Sequence, residues 1–212
     1  PSDISEAGQK LRKGLNQVGL GVKTGIDLPN ETSGQIEPLT DNPGNFLDLA
    51  IGQYDTYTPL QLSQYVSTIA NDGYRVQPHI GLEVRDATNK DTLGPVKEKF
   101  KGDVLNKVNN TEEEVNQVQE GFEMAFNEEE GTGYESFNDT EVPSAGKTGT
   151  AEVFQDGDPK VNATYVGYAP IENPQLAFSI VYTNQPVPEP WLNGGDLGKD
   201  VINYYFKEKD KD

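Results

Sequence analysis

Residues 143–152 read PSAGKTGTAE, a lysine between two glycines with hydroxyl residues on either side. Three chemistries use those residue types. A phosphate loop requires Gly-x-x-x-x-Gly-Lys-Ser/Thr, but the position of its first glycine is Glu141, and Pro143 has no N–H to donate. Strand-like sequence also follows the lysine, where that loop needs a helix. Ser144-Ala145-Gly146-Lys147 spells Ser-x-x-Lys, the arrangement of a nucleophilic serine beside its base. That pairing works on a helix, where residues three apart are neighbours. On a strand they point to opposite faces, so Ser144 is not expected to be a nucleophile. Ser136-Phe137-Asn138 is likewise read as a coincidental Ser-x-Asn.

Lys147-Thr148-Gly149 then reads as an edge-strand motif. Lys147 supplies a positive charge for a substrate carboxylate or beside a nucleophile. Thr148 and Thr150 can donate hydroxyl hydrogen bonds to a carboxylate. Gly149 removes a side chain so that substrate backbone can approach the strand. An exposed edge can pair with an extended peptide, and its N–H groups can face an oxyanion. The tripeptide alone also fits an ordinary strand lysine, so its surroundings decide.

The surroundings are those of an acidic chain rich in loops. Its 212 residues include 35 Asp and Glu against 17 Lys and Arg, a net charge of −18 that repels nucleic acid, so no nucleic-acid partner is expected. Hydrophobic residues make up only 33%, with 22 Gly and 14 Pro, which fits a loop-rich domain or one whose core is completed elsewhere. The 10 Tyr and 8 Phe argue against disorder. With no cysteine there is no disulfide, thiol nucleophile or Cys-ligated zinc, and the one histidine, His79, reads as a surface residue. No metal or cofactor is expected. No apolar run approaches a membrane span, and the opening Pro1-Ser2-Asp3 does not resemble a natural N-terminus.

Several elements must position the motif. Residues 8–20 read as the tail of a helix running into glycines, followed by a short extended TGIDLP (24–29) and a polar loop to about residue 45. Thr58-Pro59-Leu60-Gln61 is a capping box that starts a helix with Leu62, Tyr65 or Val66, and Ile69 on one face, ended by Gly73. Residues 74–109 read as irregular strand and loop. Thr111 and Glu114 box a second helix with Val115, Val118, Phe122 and Phe126 as its apolar stripe, stopped by the run 128–133. Strands at 147–154, 163–169 and 176–183, with a hairpin turn at 155–158, form an antiparallel meander. Residues 201–206 close the chain as a helix, and 209–212 form a frayed tail. Helices first and a meander after give an α+β class, an antiparallel sheet packed with helices.

AGKTGTA (145–151) resembles the third motif of the class B penicillin-binding proteins. TGIDLP with Glu31, AIGQ (50–53), TPLQL (58–62), IANDG (69–73), the Gly131-Thr132 turn and YVGYAP (165–170) resemble further segments of that family, in matching order from about residue 8 to 206. Asn30 stands where the family usually has glycine. The resemblance implies the C-terminal portion, residues 1–212, of one β-lactamase/transpeptidase-like domain. It implies a D,D-transpeptidase that cross-links peptidoglycan stem peptides, is acylated by β-lactams, and works on the extracellular face of the bacterial cytoplasmic membrane. Carried over, Lys147 belongs to the electrostatic network of the cleft. Lys147, Thr148, Gly149 and Thr150 form the substrate-binding wall, and the Thr150 N–H is one half of the oxyanion hole. The family's Ser-x-x-Lys nucleophile and Ser-x-Asn motifs are expected before residue 1, with the membrane anchor. This chain alone is then expected to be inactive, to need the missing half of the domain as partner, and to expose apolar surface on its second helix and sheet. TGIDLP, TPLQLS and the insertion near 83–110 disfavour a β-lactamase or carboxypeptidase. A catalytically dead or sensor-type module that binds β-lactams or peptidoglycan stays open as the alternative.

Overall fold

The computed structural model describes residues 2–39, 42–89, 91–187 and 195–209. Helix α1 (Ser2–Gln17) starts earlier than the sequence pattern indicates, and Gly19 and Gly21, at φ +98 and +77, turn the chain out of it as expected. Arg12 of α1 forks onto Asp55 at 2.9 and 2.6 Å and also donates to the Glu37 carbonyl, while the Glu37 N–H donates to Asp55. This pair fastens α1 to the loop before α3.

The polar loop to about residue 45 gives way to helix α2 (Pro43–Ala50), capped by Asn42, whose side chain accepts from the Gly44 N–H. The helix escapes sequence reading because it is eight residues long and leaves Leu47 and Ile51 in solvent, so it carries no clean apolar stripe. Helix α3 (Pro59–Ala70) begins with the expected capping box: Thr58 accepts from the Gln61 N–H, and the Gln61 side chain accepts from the Thr58 N–H. Gln61 is fully buried, and its amide also donates to the carbonyls of Val22 and Ser33. Buried Gln64 donates to the carbonyls of Thr24 and Val76. One helix face thus ties down loops from both sides, because each buried amide must find partners.

TGIDLP is explained by the same need. Asp27 accepts the Ile80 and Gly81 N–H groups at 2.7 and 2.8 Å, and Glu31 accepts the N–H and hydroxyl of Thr24 and the Gly25 N–H. The Ile80 and Gly81 bonds hold the Asp27 pKa below its usual value. For Glu31, burial pushes upward, but the bonds from Thr24 and Gly25 outweigh it, and its pKa is lowered too. A carboxylate with a depressed folded pKa stabilises the fold above its unfolded pKa and loses that contribution as pH falls through the folded value. The melting-temperature difference between the native chain and Glu31→Gln is therefore expected to be largest near pH 7 and to shrink on acidification, as the pH falls through the lowered pKa of the Glu31 carboxylate. A difference that grows on acidification would contradict it. His79 is half-buried rather than on the surface, with its Nδ1 donating to the Gly81 carbonyl at 2.8 Å.

The segment read as irregular strand and loop forms four short strands, β1 (Tyr74–Val76), β2 (Glu83–Arg85), β3 (Val96–Lys99) and β4 (Val104–Lys107), paired antiparallel as β1–β4 and β2–β3. Helix α4 (Glu112–Asn127) carries its capping box on Thr111 and Glu114 and buries Val115, Phe122 and Phe126. Val118 belongs to the solvent side instead, together with Met124. A one-turn helix, α5 (Tyr134–Phe137), follows.

The meander forms as read: β5 (Ala145–Gln155), β6 (Asp158–Ala169) and β7 (Leu176–Pro186), in that spatial order. Asp156 and Gly157 both have positive φ, which matches the twist of a two-residue hairpin turn. Side chains on one face (Val166 and Tyr168 with Ala145) meet Val66 of α3 and Phe122 of α4. Those on the other (Ala163, Tyr165, Ala169 and Phe178) meet Phe126, Phe137 and Ile202 of helix α6 (Gly195–Lys209). Phe126 and Phe137 stack with centroids 3.8 Å apart. Helix α6 is longer than the expected 201–206 and includes Lys209, assigned to the tail by sequence; residues 210–212 lie outside the described ones. The architecture is the expected α+β class. Apolar exposure on α4 and the sheet is limited to Val118, Met124 and Phe154, whereas α6 exposes Leu197, Val201, Tyr204 and Tyr205.

Candidate active-site wall

β5 lies at one edge of its sheet, hydrogen-bonded only to β6. Its first two residues are buried, and from Lys147 onward it emerges. Alternation along the strand separates the motif. Lys147 lies opposite Val166 and Gly149 opposite Thr164, on the α3 side. Thr148 lies opposite Tyr165 and Thr150 opposite Ala163, on the α6 side.

Thr132 joins the two sides around the free edge. Its hydroxyl accepts from Thr148 Oγ1 at 2.8 Å and from Lys147 Nζ at 3.4 Å, while Lys147 Nζ also donates to the Thr148 carbonyl at 2.7 Å. Lys147 is exposed as a residue, yet enough protein surrounds its ammonium for desolvation to lower its pKa.

Why the edge and the 131–133 turn come together is a matter of packing around Phe126. A Cβ on Gly133 would lie 2.6 Å from its ring, and one on Gly146 would collide with the same ring and with the Val166 carbonyl. Gly131 is held as close to the last turn of α4, where a Cβ would meet the Met124 and Ala125 carbonyls at 2.6 Å. Gly149 differs from all three. Its φ is not positive, and an added Cβ would touch only Thr164, at 3.7 Å. Neither packing nor backbone conformation requires glycine there, and its lack of a side chain leaves that face of the strand open.

Between the turn and the strand is a cleft of about 360 Å³, lined by Thr132, Thr148, Gly149 and Thr150, by Glu129 and Glu135, and by Ser136 and Tyr165 at its floor. Burial raises the pKa of the Tyr165 phenol, with Tyr182 and Asp196 adding to the effect. A larger hollow of about 800 Å³ runs along α6 beside Leu176, Val201, Tyr204 and Tyr205. It lies away from the motif, and its apolar side chains suit packing against protein.

Neither look-alike serine joins the Lys147–Thr132–Thr148 network. Ser144 is fully buried, with its hydroxyl 3.5 Å from that of Thr140 and its carbonyl accepting from Asn127. Ser136-Phe137-Asn138 forms part of α5 and the core, Phe137 being fully buried. The structure thus brings together Lys147, Thr148, Gly149 and Thr150, and adds Thr132, Glu129 and Glu135. Thr132 was visible in sequence only as part of a turn and Glu129 only within a helix stop, while nothing in the sequence singled out Glu135. Among the described residues no His, Asp and Glu cluster could hold a metal ion, and no helix is long and apolar enough to cross a membrane.

An edge strand carrying Lys-Thr-Gly over a three-stranded antiparallel sheet, with helices on both faces, defines a class. The chain belongs to the family described as the penicillin binding protein transpeptidase domain, whose model matches residues 4–199. It is 42% identical over 220 residues to penicillin-binding protein 2A of Bacillus subtilis, covering 100% of this chain and 30% of that relative. It is 49% identical over 180 residues to penicillin-binding protein H of the same organism, covering 81% of this chain and 25% of the relative. The solved structure of penicillin-binding protein 2B from Streptococcus pneumoniae strain R6 superposes with a TM-score of 0.89 at 37% identity, over 98% of this chain and 34% of that one. The chain therefore spans about a third or less of the length of these relatives.

Proposed function

We propose that this chain is the C-terminal portion of a serine D,D-transpeptidase domain and forms the wall of its active site that holds peptidoglycan stem peptide or β-lactam. The observation that carries the reading is the Lys147–Thr132–Thr148 network on a free strand edge beside an open Gly149. A D-Ala-D-Ala end laid along that edge pairs its backbone with β5, and its terminal carboxylate takes hydroxyl hydrogen bonds from Thr150 and from Thr148, whose hydroxyl turns from Thr132 to the ligand. The Thr150 N–H faces the carbonyl oxygen as negative charge develops there, and Lys147 contributes positive potential. The serine hydroxyl, its proton taken by a base, attacks that carbonyl, the D-Ala-D-Ala peptide bond breaks and the terminal D-Ala leaves with the proton; an amine of a neighbouring peptidoglycan strand then displaces the serine from the ester, which regenerates its hydroxyl.

The nucleophilic Ser-x-x-Lys and the Ser-x-Asn belong, on this reading, to another segment of a longer protein. That segment packs against this chain, and the apolar side of α6 is the surface offered to it. The same protein is anchored at the cytoplasmic membrane and works on its extracellular face.

Labelled penicillin tests this directly. The isolated 212-residue chain is expected to remain unlabelled, and the longer protein to be acylated on a serine outside it. In the longer protein Lys147→Ala is expected to slow acylation by about 10²-fold or more, the scale of losing one preorganised electrostatic partner. A covalent adduct on Ser144 would overturn the reading. A longer protein that binds penicillin reversibly without acylation would favour the sensor module.

A further inference from the structure

The ribbon of β2 and β3 stands apart from the rest of the fold. The two strands pair with each other, and among the described residues neither makes more than glancing contact with another helix or strand. Cross-strand partners point to the same face of a ribbon, and neighbours along a strand to opposite faces. Val84 lies opposite Glu98, so Val84, Val96 and Glu98 share one face, while Glu83, Lys97 and Lys99 share the other. The charged face is satisfied locally: Glu83 accepts from Arg85, and Lys97 pairs with Asp86 at 2.8 Å. Val84 and Val96 on the apolar face are both exposed. Leu82 and Phe100 at the root of the ribbon and Leu93 in the loop at its tip add to the apolar surface, Leu82 being 70% and Leu93 81% exposed. A two-stranded ribbon with no layer against it is marginal in water, and a contiguous apolar patch of this kind marks a docking surface.

Charge and position identify the occupant. Residues 80–105 hold five acidic and five basic residues, so the net charge of −18 resides entirely outside them. A neutral apolar face offers an anionic lipid or polymer no attraction, whereas it suits the core of a protein interface. Strands of three and four residues carrying lysines are poor templates for edge pairing, so the partner seats on the face. The ribbon is rooted on the α3 side of the main sheet, where β1 packs on α3 and Asp27 holds the Ile80 and Gly81 N–H groups. Helix α6, the surface offered to the segment with the nucleophile, packs on the opposite face of that sheet. The relatives are about three times as long as this chain, more than one domain of up to about 250 residues holds.

We propose that the apolar face of the β2–β3 ribbon is the docking surface for a second domain of the same longer protein, one outside the transpeptidase domain. The proposal rests on the reading above that this chain is part of a longer transpeptidase. The docked domain covers Val84 and Val96 and leaves the Lys97–Asp86 side in solvent.

Hydrogen–deuterium exchange of the isolated chain and of the longer protein, at two concentrations each, tests it. In the isolated chain the ladder amides of β2 and β3 are expected to exchange within about tenfold of the unfolded rate, and in the longer protein to slow by about tenfold or more at both concentrations. Leu82→Glu with Val84→Glu is expected to restore fast exchange in the longer protein and to leave the Tm of the isolated chain unchanged, because both residues are exposed there. Slow exchange already in the isolated chain, equal exchange in the two proteins, or protection that survives the double substitution overturns the proposal. Protection that grows with concentration assigns the face to a second copy, and protection that appears only with phosphatidylglycerol vesicles assigns it to lipid; either result overturns it. Penicillin labelling reports separately. A longer protein that is not acylated removes the transpeptidase reading, while the exchange comparison still decides the docking surface.

Discussion

Phe126→Ala is expected to destabilise the chain by about 3–5 kcal/mol, the usual cost of truncating a fully buried aromatic residue. Phe126 has no exposed surface, stacks on Phe137, and fills the space that absent side chains leave at Gly133 and Gly146. Neither glycine neighbour can collapse into the vacated volume, because each is fixed by backbone: Gly133 by its N–H donating to the Ala125 carbonyl, and Gly146 by the β5–β6 ladder. The cavity should therefore persist, which puts the cost at the upper end of that range. Denaturant unfolding measures it, and a loss below about 1.5 kcal/mol, the cost of a well-tolerated hydrophobic swap, would show that the core repacks. The ring also sets the distance between the 131–133 turn and the strand, so the Thr132–Thr148 bond should lengthen in the same variant. Penicillin acylation of the longer protein should then fall further than Tm alone would indicate.

Asp55→Ala is expected to cost about 3–5 kcal/mol by a different route. The Asp55 side chain is 1% exposed and faces the Arg12 guanidinium, itself largely covered. Removing the carboxylate strands a cation and the Glu37 N–H, and an unpaired buried charge is worse than no charge. Replacing both partners by apolar residues, Arg12→Met with Asp55→Leu, should recover most of the loss. If the double variant is as unstable as the single one, the Glu37 contacts rather than the ion pair hold α1 in place. Chemical denaturation of the three variants, compared as a cycle, separates the two.

The elements legible in the sequence were those with local signatures. The capping boxes at Thr58 and Thr111 and the Asp156-Gly157 turn each announce themselves within a few residues, and all three form. Helix α2 does not, because nothing local distinguishes Pro43-Gly44 from another proline turn and its eight residues bury only Leu49 while leaving Leu47 in solvent. Strands β1 to β4, three or four residues each, are stabilised by pairing across tens of residues, which periodicity cannot register. The site divides in the same way. Lys147, Thr148, Gly149 and Thr150 are contiguous and legible in the sequence, and Ser144 lies fully buried just before β5. The meeting with Thr132, and the acids beside it, depends on how a phenylalanine seats two glycines, which only the folded chain displays.

β5 is built like a beam fixed at one end. Ala145 and Gly146 are clamped in the interior, while the far end carries Phe154, 78% exposed. Its pairing with β6 runs from Ala145 to Gln155 without a register shift, whereas the β6–β7 ladder is broken between Val161 and Ala163. Lys147 to Thr150 pair with Val166 to Ala163, a stretch of β6 that β7 also holds in register, so the whole motif lies on the clamped side of the break and the hairpin tip on the other.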